Sequence, residues 1–143
     1  MRPDNLCLDS LRPDAAIKLI DFGFATPCAA GEVLTSPCGT FEFMAVEMLH
    51  DGGYSFPVDV WACGITFYAI CTGRFPRVAS YCAEYIKKGR HKEVKVSAVA
   101  QLVLHSTLAT GRQTQLLRRL LEARAEKRIT AATALEDLQA LSW

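Results

Sequence analysis

From Pro57 to Gly73 the chain reads PVDVWACGITFYAICTG, and between Val60 and Cys71 almost every residue is apolar or small. No polar face is left at helical spacing, and a helix that is hydrophobic all round is buried all round. A membrane span takes about 20 apolar residues, so this shorter run reads as a core helix near 58–72. Pro57 suits the first helical turn and Gly73 the residue just past the end. Asp59 falls in that first turn, where a carboxylate gains from the helix dipole. It nonetheless enters a segment headed for the core, and a buried acid needs a partner. The rest of the chain has to wrap this helix and answer the charge of Asp59.

A length of 143 residues is enough for one domain with a proper core. Half of the residues are hydrophobic, which is a globular composition. The net charge of +1 points to neither nucleic acid nor a membrane surface as an obligate partner. The six cysteines, Cys7, Cys28, Cys38, Cys63, Cys71 and Cys82, contain no C-x-x-C pair and no zinc spacing. They read as reduced thiols, with Cys63 and Cys71 serving as small hydrophobes inside the helix. The N-terminus has no apolar h-region of a secretory signal. The expected location is cytoplasmic or nuclear, not secreted.

Asn5 to Phe22 has the pattern of a β-hairpin. Leu6 and Leu8 alternate with Cys7, residues 9–14 supply turn chemistry, and Ile17–Ile20 returns with Ile17 and Leu19 on one face. Such a hairpin brings Asn5, before its first strand, beside Asp21, after its second. An amide oxygen and a carboxylate at one rigid end are a hard pair of the kind Mg²⁺ accepts when phosphates and water complete its shell. The same two residues also commonly cap their own turns, and on spacing alone that is the favoured reading.

Residues 24–48 form a long connection with little periodicity, a length that is usually functional or disordered. Beyond the core helix, the sequence predicts helices over Tyr81–Lys88, Ser97–Leu108 (Val99, Leu102 and Val103 inward) and Gln115–Arg124. The last carries a stripe of Leu116, Leu117, Leu120 and Leu121. Thr130 reads as the N-cap of a final helix, Ala131–Ala140, with Leu135 and Leu138 inward. The basic cluster Lys87, Lys88, Arg90, His91 and Lys92 reads as a solvated face rather than a docking patch.

Taken in order, these pieces resemble the C-terminal lobe of a eukaryotic protein kinase. Asp21–Phe22–Gly23 resembles the D-F-G motif. Arg2–Pro3–Asp4–Asn5 is similar to the tail of the catalytic loop. Cys38–Gly39–Thr40 with Ala45–Val46–Glu47 resembles the end of the activation segment with an altered A-P-E, and Asp59–Val60–Trp61–Ala62–Cys63–Gly64 resembles the D-x-W-S-x-G start of the central helix. Arg128 is similar to the family's late Arg, and Trp143 falls where the domain usually ends.

The resemblance implies a protein kinase-like α+β fold. This chain would be its mainly α lobe with a small N-terminal hairpin. Residues 1–23 would hold the end of the catalytic loop and the hairpin, 24–47 the activation segment and 48–143 the helical subdomain. It implies serine/threonine phosphotransfer with ATP and Mg²⁺ as cofactors. Asp21 and Asn5 would hold the metals, Arg2 would neutralise the transferring phosphoryl group, and Thr40 would help place the acceptor hydroxyl. Glu47 would pair with Arg128, Asp59 would accept hydrogen bonds from the catalytic-loop backbone, and Ser36 would be a phosphorylation site in the activation segment. The Gly39–Phe43 run leans toward the calcium/calmodulin-dependent group.

The family's Gly-rich loop, strand lysine, partner Glu and H-R-D motif have no counterpart in these residues, and the Asp of H-R-D would fall immediately before Met1. The expectation is a truncated lobe, inactive alone, whose partners are a missing N-terminal lobe and protein substrates or regulators. The alternative is a non-catalytic, pseudokinase-like interaction module.

Overall fold

The apolar run does become the central helix. In the computed structural model, which describes residues 1–105, 108 and 111–140, it is α1, Pro57–Thr72, with Pro57 in its first turn. Gly73 ends it in a left-handed conformation, its N–H donating to the Ala69 carbonyl at 2.8 Å. Four more α-helices follow: α2 (Arg77–Lys87), α3 (Val96–Leu104), α4 (Gly111–Leu120) and α5 (Ala131–Gln139). A two-stranded antiparallel sheet, β1 (Leu6–Leu8) and β2 (Ile17–Leu19), precedes them, with Leu6 opposite Leu19 and Leu8 opposite Ile17. A mainly helical fold with a small N-terminal sheet is the architecture expected from the sequence.

Trp61 and Ile65 of α1 are essentially inaccessible, as are Val78 of α2, Val99 of α3 and Leu117 with the following Leu121. Each such side chain removed from water is worth about 1.5–3 kcal/mol. A second cluster joins Val60 to Leu116, Leu120 and Ala134, fastening α5 through α4 to α1. Gly64 lets α1 and α4 approach. A Cβ there would lie 2.7 Å from Leu121 Cδ2 and 2.9 Å from Leu120 Cβ, closer than carbon atoms pack.

Three expectations need correcting. α1 is not buried all round: Asp59 and Cys71 are exposed and Ile70 is 62% accessible. Asp59, Cys63 and Ile70 recur near the 3.6-residue period on one stripe, which N-terminal residues cover only in part; Met1 Sδ sits 3.8 Å from Cys63 Sγ. Asp59 is therefore a solvated carboxylate, with no side-chain hydrogen bond or ion pair among the described residues. In α5, Leu135 is 56% exposed and Ala134 takes the inward place, with Leu138 four residues on. Because Leu138 stays inward, the helix has turned only about 50° from the orientation that the two leucines suggest. The Ser97–Leu108 helix begins at Val96 and ends at Leu104, while Trp143 lies outside the described residues.

The N-cap at Thr130 is made, its hydroxyl accepting from the Thr133 N–H at 3.2 Å. The basic cluster after α2 is neutralised locally: Lys87 meets Glu42, Lys88 meets Glu84, Arg90 meets Glu93 and Lys92 meets Asp51.

Candidate functional site

The chain enters through a 3₁₀ turn, Pro3–Asn5, which puts Arg2 and Asn5 a single turn apart. Arg2 Nη1 donates to Thr40 Oγ1 at 3.1 Å, and its Nη2 lies 2.8 Å from the Asp4 carboxylate. Two segments separated by 38 positions thus meet through one guanidinium. Thr40 itself begins the 3₁₀ turn Phe41–Phe43, its carbonyl accepting from the Phe43 N–H at 3.0 Å.

The hairpin register determines how Asn5 and Asp21 stand. Because Leu6 faces Leu19, the residue directly across from Asn5 is Ile20, whose N–H donates to the Asn5 carbonyl at 2.9 Å. Asp21 follows one residue beyond, at the same end. The expected side-by-side pairing is offset by one position because β2 stops at Leu19. Asp21 is the only non-glycine with a positive φ (63°) among the described residues. Asp tolerates this region better than most residues, and such backbones concentrate at functional sites.

Its Oδ1 accepts from the Gly23 N–H at 3.1 Å. Among the described residues, neither Oδ2 nor the Asn5 side chain has a hydrogen bond. One carboxylate oxygen does the capping that short polar residues commonly do, and the other stays available with the Asn5 amide oxygen. That donor set, two hard oxygens at one end of the hairpin, is of the kind Mg²⁺ accepts when its other ligands are phosphate and water. Among the described residues, no group of three or more His, Cys, Asp or Glu gathers as a metal cage.

At the far end of the long connection, Arg128 grips Glu47 with two bonds, Nη1–Oε1 at 2.6 Å and Nη2–Oε2 at 3.0 Å. Its side chain is 0% exposed and that of Glu47 16%. The same guanidinium donates to the Pro57 carbonyl at 2.8 Å and, through Nε, to the Glu122 carbonyl at 2.8 Å. It also lies 5.0 Å from the Trp61 ring centroid. The segment before α1, the first turn of α1 and the turn after α4 are therefore tied at one point.

Sequence reasoning missed Tyr54. It forms a two-bond bridge with Leu34 at 2.8 and 2.9 Å and donates its hydroxyl to the Ser36 carbonyl at 2.6 Å. Burial, with the Cys38 thiol close by, raises its phenol above the ordinary tyrosine value. An aromatic with a polar tip just before a core helix was the available signal. Ser36 itself is exposed. Of the six cysteines only Cys82 is buried, and burial pushes its thiol up to about 12. Cys71 lies in the open rather than in the core.

Residues 1–138 match the sequence pattern of the family described as protein kinase domain. Among similar proteins, cGMP-dependent protein kinase 2 of Mus musculus is 41% identical over 76 residues, covering 53% of this chain and 10% of that protein. Calcium/calmodulin-dependent protein kinase type II of Caenorhabditis briggsae is 31% identical over 139 residues, covering 95% of this chain and 25% of that protein. Serine/threonine-protein kinase plk-1 of Caenorhabditis elegans is 30% identical over 127 residues, or 89% of this chain and 18% of that protein. The chain spans a tenth to a quarter of the length of these relatives. No helix among the described residues is long and apolar enough to cross a membrane.

Proposed function

Because the chain belongs to the protein kinase domain family, we propose that it forms the metal-holding and acceptor-holding part of a protein serine/threonine kinase. The reaction moves the terminal phosphoryl group of ATP to a Ser or Thr oxygen of a protein, with ADP leaving and the hydroxyl proton passing to a base. The observation that carries this reading is the 3.1 Å bond between Arg2 and Thr40, one turn of chain from Asn5. It ties a fixed cation to a hydroxyl side chain next to the hard-oxygen pair.

Asn5 and Asp21 hold the metal through the amide oxygen and the free carboxylate oxygen. When bound, Mg²⁺ neutralises phosphate charge. Arg2 is already fastened to Thr40 and Asp4, so its charge needs no reorganisation when a phosphoryl group arrives. Its planar fork also suits phosphate oxygens in a way that a lysine point charge does not. Thr40 orients the acceptor hydroxyl.

Residues 24–47 act as the activation segment, held at Glu47 by Arg128. Ser36, exposed beside the Tyr54 strap, takes a regulatory phosphate of roughly −1.5 to −2 charges. Phosphopeptide mapping of the protein from cells is expected to find Ser36 modified; modification confined to Thr26 or Thr35 would remove that assignment.

These 143 residues contain neither an H-R-D motif nor a Gly-rich G-x-G-x-x-G loop. As an isolated polypeptide the chain transfers no phosphate. The test is paramagnetic: with Mn²⁺ and ATP, the amide signals of Asn5 and Asp21 broaden in the wild type and stay sharp in Asp21→Ala. Uniform broadening, or none at these residues, would overturn the metal assignment. Peptide phosphorylation abolished by Asp21→Ala would overturn the inactivity. The exposed apolar hairpin favours a second reading, a non-catalytic module that binds protein partners, which predicts no metal–nucleotide footprint at all.

A further inference from the structure

A hollow of about 410 Å³ shares no residue with the Arg2–Thr40 site. Its lining comes from four segments: Val46 in the 3₁₀ turn before α1, Gly52 and Gly53, Val96 at the start of α3, and Ala123 with Arg124 after α4. Val46 and Ala123 are buried beneath it, and Val96 is 37% exposed beside it. A hollow of this size with mostly apolar walls and a few polar groups has the make-up of a binding site.

The walls are unfinished in their hydrogen bonding. Gly52 and Gly53 have no side chains over their peptide groups, and none of those groups has a hydrogen bond among the described residues. His50, also in the lining, carries a buried Nε2 without a partner. Bare peptide groups beside an apolar surface suit another polypeptide, whose main chain pairs with them while one side chain anchors it.

The free charge around the hollow is positive. Most acids of the lining and adjoining segments are engaged: Glu47 by Arg128, Asp51 by Lys92, Glu93 by Arg90 and Glu122 by the Arg124 N–H. Of these segments' acids, Glu126 alone has no partner among the described residues. Arg124 in the lining, and Lys95 and Lys127 next to lining residues in sequence, have no side-chain hydrogen bond or ion pair among the described residues. Three free cations stand against one free acid.

We propose that this hollow docks a regulatory partner, an acidic segment of another protein. The segment lays its main chain along Gly52 and Gly53 and sets one bulky apolar side chain over Val46, Val96 and Ala123. Its carboxylates answer Arg124 and Lys95. The lining also says what such a partner does. Val46 adjoins Glu47, which Arg128 holds, and Gly53 adjoins Tyr54, which bridges Leu34. An occupant therefore clamps from outside the junction that Arg128 ties from within, and it steadies the 24–48 connection without touching Arg2 or Thr40. This docking needs no phosphoryl transfer and stands apart from the metal reading.

In the test, the dilute ¹⁵N-labelled chain is titrated with three peptides of equal length: glutamates around a central Leu, lysines around the same Leu, and glutamates around a central Ser. The Glu–Leu peptide is expected to shift the amides of Gly52, Gly53, Val96 and Arg124. It should bind at least roughly tenfold more tightly than either other peptide, the scale of one apolar anchor or a few exposed charge contacts. At saturation it should slow hydrogen exchange at Leu34 and Tyr54 by a similar factor. Arg124→Glu should cancel the preference for Glu over Lys, Arg124→Lys should keep it, and Val96→Ser should cancel the preference for Leu over Ser. Both positions are exposed, so unchanged spectra elsewhere certify the fold. A Lys–Leu peptide that binds as well, shifts confined to the hairpin, unchanged exchange at Leu34 and Tyr54, or an order indifferent to Arg124→Glu would overturn the docking site. Two other occupants would overturn it too. The same amides moving with protein concentration alone would assign the hollow to a second copy of the chain, and decanoate matching the Glu–Leu peptide in strength would assign it to a free amphiphile.

Discussion

Arg128 concentrates more of the architecture than any other side chain described here. Its donors are spent on both Glu47 oxygens and on two backbone carbonyls, and its face rests on Trp61. Removing it leaves a largely buried carboxylate and two carbonyls without partners. A buried pair broken from one side costs on the order of 3–5 kcal/mol. Arg128→Ala should therefore lower the unfolding free energy by about that amount in urea denaturation. Arg128→Lys should recover only part of it, because an ammonium has no planar fork. A loss below about 1 kcal/mol in Arg128→Ala would mean that the pair carries no load. The Glu47–Arg128 partnership was legible only through the family resemblance. Its further bonds to Pro57 and Glu122, and its stacking on Trp61, were not, because each depends on how three separated turns converge.

Among the elements, the long connection is held less by secondary structure than by one bridge. Leu34 and Tyr54 exchange two backbone bonds, and this needs Gly53 beneath them at φ 76°. A Cβ on Gly53 would collide with Val33 Cγ1 and fall 3.0 Å from the Leu34 carbonyl oxygen. Strain at positive φ adds to the clash. Gly53→Ala should accordingly speed hydrogen exchange of the Leu34 and Tyr54 amides by at least roughly tenfold while leaving α1 protected, since local opening samples the weakest contacts first. Equal exchange in both proteins would show that the bridge is not what holds the segment. The sequence marks 24–48 as a connection by its lack of periodicity. It offers no sign of the bridge, because an isolated pair of bonds has no period to read.

At the scale of the molecule, the apolar side chains of the hairpin and its exit are uncovered. Leu8 is 61% exposed, Ile17 63%, Phe22 64% and Phe24 71%, alongside Ile70 of α1 at 62%. A two-stranded hairpin is marginal without something packed on it, and an exposed patch of this kind drives association. The 143-residue chain is expected to self-associate with rising concentration in light scattering, and Ile17→Lys combined with Phe24→Glu should shift it toward monomer. A monodisperse wild-type monomer at high concentration would contradict this.

Local pattern determined the elements themselves: α1 between Pro57 and Gly73, the leucine stripe of α4, the Thr130 cap and the hairpin. Each is written in neighbours a few residues apart, where backbone preference and side-chain period act. What the tertiary structure alone decided is coverage and convergence. Whether Asp59, Ile70, Cys71 and Leu135 are buried depends on what other segments lie over them, and apolar composition cannot say which face is left open. The meeting of Arg2 with Thr40, and the one-residue offset of Asp21 from Asn5, depend on packing and strand register. Both are properties of the assembled core rather than of any stretch within it.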